Sequence, residues 1–454
     1  MDKSRSFKRM KTLALGILVW GGLGLIWVCS PQAAWCGGDD SARAIAVDSA
    51  GNVIVTGLSK KTIYTDYDYL TVKYNAAGGK LWEKRIGARN NLSWGPKALA
   101  VDSAGNAYVT GQGLGSLQGY ITVKYLPSGD VDWVKKYGYG KYSDAGRSVA
   151  VGPTGRIHAV GAAYNGFNWD FVTIKYAVTV GPYYAPGWTR RFNSHYFDHP
   201  WSLAVDSGGN VLVTGFSSNG TDNDYRTIKY SSKGDLVWNK TYDGGHGNDW
   251  ANDVGVDALG NAYVTGWSSN GTNDDFLTVK YTSSGDQAWA RRYDSTYGSD
   301  CAVAIAVDTA GNAHVTGYAA NSSGNWDFYT IKYHPNGKIA WRRNFDGSGC
   351  NDVPTSITLD GSGNVYVTGW SNNLSQSAKR DFLTIKYTSA GTKVWSRYLD
   401  GGFQENDEAK AIAVDGSGNV YVAGESSNST DKDYMVVKYT PDGTQAWTRR
   451  IDSP

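Results

Sequence analysis

One unit is written eight times along this 454-residue chain, and that period limits the fold more than any other feature. The phrase VDxxGNxxVTG recurs with small variations. Its acidic position falls at Asp48, Asp102, Asp206, Asp257, Asp308, Asp360 and Asp415, and Gly152 takes that place in the third copy. A glycine closes the phrase nine residues later in all eight copies, from Gly57 to Gly424. A T[VI]KY segment follows (VVKY in the last copy), and a tryptophan comes nine residues after its lysine in seven copies. In the third copy that gap is thirteen, from Lys175 to Trp188.

Each unit contains four short runs rich in Val, Ile, Thr and Tyr between turn residues, which is a strand signal. In the fifth copy these runs are residues 252–256, 262–265, 276–281 and 287–293. The connections Asp257 to Asn261 and Thr282 to Asp286 suit a type I turn followed by a left-handed glycine, so both read as tight hairpins. A lone four-stranded sheet cannot bury both faces, whereas eight arranged radially can. The expected fold is therefore all-β: a closed β-propeller of eight four-stranded antiparallel blades over residues 35–454. An open stack of sheets or two smaller rings are the alternatives. No strand is left over to complete another blade, so ring closure is expected to rest on face packing between the first and last blades. The 57 glycines and 13% aromatic residues suit many tight turns and large side chains between sheets.

The first 35 residues differ from the rest. A basic front from Lys3 to Lys11 precedes an apolar, glycine-containing run from Leu13 to Val28, and Ala33 and Ala34 are small. This reads as a signal peptide over residues 1–34, with an uncleaved membrane anchor as the alternative. Export would place the chain in the periplasm, at the cell surface or outside the cell, in an oxidising compartment. Cleavage would leave Cys36, Cys301 and Cys350, an odd number. Cys301 and Cys350 precede equivalent strands in consecutive copies and form a candidate disulfide. The net charge of +2 gives no sign of a nucleic-acid partner.

The phrases AVDSAGNVIVTG, DYLTVKY and W-x-x-R resemble the bacterial SBBP-type β-propeller repeat over residues 40–454. The resemblance implies a propeller and an exported bacterial protein. That family is described as seven-bladed, but this chain contains eight units. The resemblance implies no activity, and a shared fold does not supply one.

The short, uniform connections within each unit fall on one face. The longer, irregular ones share the other, where binding residues are expected. Two acidic series lie on that irregular face. Asp40, Asp144, Asp198, Asp249, Asp300, Asp352 and Asp407 sit eight residues before the VD position. Lining the channel mouth, they would suit a hard cation such as Ca²⁺; as structural groups, they would cap turns. Asp68, Asp170, Asp224, Asp275, Asp327, Asp381 and Asp433 open the third strand, with Arg85, Arg191, Arg292, Arg343, Arg397 and Arg450 nearby as ion-pair partners. The recurring lysines and tryptophans are expected to pack between blades.

Residues that break the repeat carry more information about a ligand. His195, Asp198, His199 and His246 lie in adjacent loops and form a candidate transition-metal set. Trp201, Trp250, Trp267, Trp326 and Trp370, with Asp249 and Asp300, are candidates for stacking on and hydrogen-bonding to sugar rings; packing between blades is the alternative. Neither a catalytic triad, a phosphate loop nor a zinc-protease motif stands out. The leading expectation is a binding or scaffold protein for a protein or cell-surface glycan. A polysaccharide-acting glycosidase or lyase using carboxylates at the channel mouth is the alternative, and a purely structural surface protein is the third reading.

Overall fold

A computed structural model describes residues 40–451, apart from 61–66, 88–94, 114–118, 139–143, 178–185, 348, 374–378 and 429–430. The expected signal segment, Cys36 and the loop residue Trp94 lie outside the described residues. Eight antiparallel sheets of four strands are present, each ordered one to four along the chain, and the described residues contain no helix. Blades 1 to 8 span residues 41–86, 96–137, 145–192, 198–242, 249–293, 301–345, 352–399 and 407–451. The first strand of each blade contacts the first strands of both neighbouring blades, and blade 8 meets blade 1. The fold is an eight-bladed β-propeller with the first strands lining its centre.

Blade 5 shows how the repeat builds a sheet. Its strands are Asp249–Val256, Ala262–Ser269, Asp274–Tyr281 and Gln287–Tyr293. Three of them extend beyond the apolar runs that mark them in the sequence. The outermost added pairs are polar, such as Ser268 with Asp275 and Ser269 with Asp274, and Ser and Asp carry little strand signal of their own. Both tight turns have the expected form, with Gly260 at φ 78° and Gly285 at φ 93°. Asp257 organises the first turn. Its Oδ1 accepts the amides of Leu259 and Asn261, at 3.0 and 2.9 Å, and its Oδ2 accepts the Asn261 side chain at 2.8 Å. The equivalent Asp48, Asp102, Asp206, Asp308, Asp360 and Asp415 each accept the corresponding asparagine.

The glycine that closes the VTG phrase has a separate cause. Every first strand carries an irregularity in register against the second strand, as between Ala251 and Asp253, where Asn252 is the extra residue. The bulge presses a first-strand carbonyl against the second strand. A Cβ on Gly266 would collide with the Trp250 carbonyl, and one on Gly57 or Gly424 with that of Ser41 or Glu408. Only glycine fits opposite the bulge.

Blades are joined flank to flank. Each of the eight apolar clusters draws on two adjacent blades, so the propeller has eight equivalent interfaces in place of one central core. Between blades 4 and 5, Leu212, Tyr225 and Trp238 meet Ala251, Val254, Val264, Leu277 and Val279. Burying each large apolar side chain contributes about 1.5–3 kcal/mol, several times what a single added hydrogen bond gives. The polar contacts therefore set register between blades more than they set strength. Trp238 donates its indole N–H to the Ser283 carbonyl at 3.1 Å, in the outer turn of the next blade. Six further tryptophans repeat this bond, ending with Trp447 to Ala76 at 3.2 Å. Six strand-three lysines reach the same turns, as Lys280 does to Pro335 at 3.0 Å.

Closure uses the same contacts. Tyr421, Tyr434 and Trp447 of blade 8 pack on Ala42, Val53, Val55 and Val72 of blade 1. Lys438 and Arg449 reach the carbonyls of Ala76 and Gly78 at 2.9 and 2.7 Å. Face packing closes the ring, as expected. The proposed Cys301–Cys350 link is absent: Cys350 is a free thiol, while Cys301 is disulfide-bonded. The three-residue offset of the two cysteines in the repeat frame puts Cys301 on a strand and Cys350 in the preceding loop, away from the corresponding position.

Two measurements check these assignments. Gly266→Ala should lower stability by about 1–3 kcal/mol in chemical denaturation, because its methyl group meets fixed backbone. Gly361→Ala, where a Cβ meets nothing within 4 Å, should change it by less than about 0.5 kcal/mol. Alkylation without reductant, read by mass spectrometry, should label Cys350 and spare Cys301.

Candidate functional site

The loop-entry aspartates are loop anchors. Asp249 is fully buried, and its Oδ2 accepts the Gly244 amide at 2.6 Å. Asp198 accepts Ser194, Asp300 accepts Ser295, Asp352 accepts Gly347 and Asp407 accepts Gly401, all from the loop that leads into the blade. They sit at the variable face, but their carboxylates turn into these loops. Burial pushes the carboxyls of Asp249, Asp300, Asp352 and Asp407 up to about 6, assisted by neighbouring aspartates and opposed by their hydrogen bonds.

The strand-three aspartates divide between partners. Asp170 pairs with Arg191 at 2.7 Å, Asp275 with Arg292 at 2.8 Å, and Asp433 with Arg450 at 2.6 Å. Asp327 instead accepts Asn344 at 2.9 Å. Arg343 and Arg397 lie one position earlier on strand four and reach the carbonyls of Gly391 and Gly443 in the next blade. The two series also meet each other. Asp224, Asp243 and Asp249 bring one oxygen each within 4.8 Å, and equivalent trios form at Asp275, Asp294 and Asp300, at Asp327, Asp346 and Asp352, and at Asp381, Asp400 and Asp407. Such oxygen sets suit a hard cation more than a transition metal.

The histidine candidates do not assemble in this way. Among the described residues, no group of three ligand-type side chains close enough to share an ion contains a histidine. His195 and His246 are exposed loop residues. His199 is buried and accepts a hydrogen bond at Nε2 from Arg147 at 2.9 Å. Burial, then the charges of Arg147 and Lys97, hold His199 well below the usual imidazole range, so it is neutral. Asp198 is occupied with Ser194.

Most of the tryptophan candidates are enclosed. Trp250 stacks on Phe216 at 4.3 Å and on Trp267 at 5.5 Å, and both tryptophans are buried. Trp370 is buried beneath the Arg380 guanidinium at 4.1 Å. Trp326, packed on Tyr318, and Trp201 remain half-buried.

Sequence reasoning passed over a third series, the bulge residues of the first strands. They are Arg43, Lys97, Arg147, Trp201, Asn252, Val303, Thr355 and Lys410. Each stands five residues before the VD position, a fixed column with no conserved chemistry. A bulge re-aims its side chain, and here neighbouring bulges reach each other around the inner ring. Asn252 donates to the Ala302 carbonyl of blade 6 at 2.8 Å, and Thr355 to that of Ala409 in blade 8 at 2.9 Å. Arg147 lies 4.8 Å over the Trp201 ring of blade 4. Cations occupy four consecutive blades: 8, 1, 2 and 3. Burial, then Arg43 and Arg147, drive the Lys97 ammonium well below its usual range. At Lys410 the carboxylates win: Glu408 and Glu425 raise it against burial.

Comparison with known proteins agrees with this architecture. Residues 81–117, 240–273, 341–374 and 394–430 match the SBBP β-propeller repeat. This is an eight-bladed propeller carrying SBBP-type repeats. An uncharacterized WD repeat-containing protein, L264, of Acanthamoeba polyphaga mimivirus is 25% identical over 212 residues; the match covers 40% of this chain and 13% of that protein's length. The crystal structure of Chaetomium thermophilum Sqt1 aligns with a TM-score of 0.56 at 12% identity, covering 86% of this chain and 94% of that one. The polysaccharide lyase Uly1 aligns with a TM-score of 0.45 at 11% identity, covering 76% and 89%. At these identities the structural likeness concerns the fold.

The raised carboxyls fix a sign. A group protonated more readily in the folded than in the unfolded chain contributes stability below its unfolded pKa, and that contribution is lost as pH rises through the folded value. For Asp249 the window runs from its ordinary value of 3.8 to about 6. Asp249→Asn keeps an acceptor for Gly244 without the charge. It should raise Tm at pH 7 and leave it nearly unchanged at pH 4 when the two proteins are compared by calorimetry.

Proposed function

We propose that this chain is an exported binding or scaffold module that recognises a protein or a cell-surface glycan through its variable face. The observation that supports it most is where irregularity is concentrated. The turns of the plain face repeat one aspartate–asparagine arrangement in seven blades, and the interfaces repeat one tryptophan latch in seven. Departures from the repeat gather in the opposite loops and along the bulge column. A rigid frame that carries variable side chains at one face is suited to recognition.

One observation favours the enzymatic alternative. Carboxyls raised to about 6, as at Asp249 and Asp300, lie in a range useful for proton transfer near neutral pH. Their recurrence as loop anchors in successive blades favours the structural role. The aspartate trios are also where a cation such as Ca²⁺ would be held, bracing the loops of the recognition face.

A glycan array and a surface-extract pull-down, run beside an assay for released reducing sugar and unsaturated product, separate the readings. Binding without turnover is expected. Turnover abolished by Asp249→Asn or Asp300→Asn would establish the hydrolase or lyase instead. For the cation, Ca²⁺ added after chelation should raise Tm in the wild type and less in Asp249→Asn; no shift in either would remove the cation from the account.

A further inference from the structure

Two neighbouring loops of the variable face carry aromatic rings that the fold leaves in the open. One joins strands two and three of blade 3, and the other leads from blade 3 into blade 4. Asn165 ties the first loop, its Oδ1 accepting the amides of Phe167 and Asn168 at 2.8 and 3.0 Å. At the tip of that loop Phe167 is 93% exposed. A single exposed ring is ordinary, but this one has company. Trp169, two residues on, is half-buried and meets Tyr164 and Phe197 edge to face, with ring centroids 5.0 and 5.4 Å apart. Phe197 belongs to the second loop and is 39% exposed, and Tyr196 beside it is 51% exposed.

The patch is braced from beneath. Phe197 stacks on Phe216 at 5.8 Å, Phe216 on Trp250 at 4.3 Å, and Trp250 on Trp267 at 5.5 Å. The buried aromatic series thus ends at the surface in Phe197. Tyr196 lies over Gly220, where a Cβ would come within 2.9 Å of the phenol ring. Rings held in this way lose little freedom when a ligand covers them. Polar groups are open beside them. Among the described residues, the indole N–H of Trp169 and the hydroxyl of Tyr196 have no hydrogen-bond partner, and neither residue is buried. Seven strand-four tryptophans, by contrast, donate theirs into the next blade. Asn168 accepts from Asn165, and Asn193 from the His195 amide at 2.6 Å, which leaves the side-chain N–H groups of Asn168 and Asn193 available.

Composition selects the occupant. Residues 165–169 and 193–197 contain no Asp, Glu, Lys or Arg and no aliphatic side chain. In blades 4, 5, 7 and 8 the position of Trp169 is polar or charged, as Asn223 and Asp274 are. The adjacent Asp170 is already paired with Arg191 at 2.7 Å. A charged ligand finds no counter-charge in these loops, and an aliphatic protein side chain finds no aliphatic partner. A pyranose ring matches what is there: an apolar C–H face for the rings, and hydroxyls for the amides and the indole N–H.

We propose that this patch is the platform for an uncharged sugar residue of a glycan. The rings of Trp169, Phe197 and Phe167 take its C–H faces, and the open N–H and O–H groups take its hydroxyls. The inference rests on the binding role proposed above and names the ligand class and its place.

An oligosaccharide array probed with the full chain tests this, with neutral hexose, deoxyhexose and N-acetylhexosamine members beside uronic-acid and sulfated ones. Neutral members should bind in preference, and calorimetric titration of the best of them should give an affinity that changes little with salt. Trp169→Ala should weaken that binding by about tenfold or more. Phe167→Ser should weaken it by about threefold or more and leave Tm unchanged, because the ring is so exposed, so it carries the test even if Trp169→Ala loses its fold. Leu259→Ser, which removes an exposed apolar side chain from the plain face, should bind as the wild type does. The proposal is overturned if no neutral member binds, if charged members bind as tightly, if Phe167→Ser or a folded Trp169→Ala binds unchanged, or if Leu259→Ser weakens binding equally. A chain that captures a charged glycan or a surface protein, and no neutral sugar, keeps its binding role and loses this assignment. A chain that captures nothing loses both.

Discussion

Each blade turns an aromatic flank toward the aliphatic flank of the next, and the rest of the molecule depends on that contact. A single four-stranded sheet has no way to bury both faces, so no blade is stable by itself. Trp238 and Tyr225 against Ala251 and Val264 are one instance of a joint that recurs around the ring. The repetition explains why the tryptophan, lysine and VTG glycine columns vary so little. A change at one of them alters a surface that must fit a neighbour built to the same plan.

The hydrogen bonds around these joints do different work. A tryptophan N–H aimed at a neighbouring turn carbonyl adds little energy beside the indole's own burial, but it fixes how far one sheet is rotated against the next. The bulge in each first strand acts in the other direction. It interrupts a regular ladder, needs a glycine opposite, and returns one freely chosen side chain per blade to the inner ring. Outer strands thus hold the ring together, and inner strands carry its individuality.

Much of this was legible in the amino-acid sequence. The period identified eight blades, and the D-x-x-G-N phrase identified a turn with a left-handed glycine. Strand ends were less legible, because pairs such as Ser269 with Asp274 extend the ladder using residues with poor strand preference. The site was harder still. The loop-entry aspartates stood out by repetition, yet it is their amide partners, such as Gly244, that define their role as anchors. For Trp250 and Trp267 the sequence left sugar stacking and packing between blades both open, and the stacking of Trp250 on Phe216 and on Trp267 decides for packing. The bulge column escaped notice for the opposite reason. Its residues share a position and no chemistry, so they look like noise until the register shift shows that all eight have one address.

Because every sheet is drawn from one uninterrupted stretch of chain, the junction between blades 8 and 1 is physically the same as the other seven. No strand is borrowed across it. Duplication or loss of one genetic module would therefore add or remove a complete sector, with no sheet left needing a strand from elsewhere in the chain. Circumference in such an architecture can evolve by whole steps, and the pattern of side chains facing the axis can be reshuffled along with it.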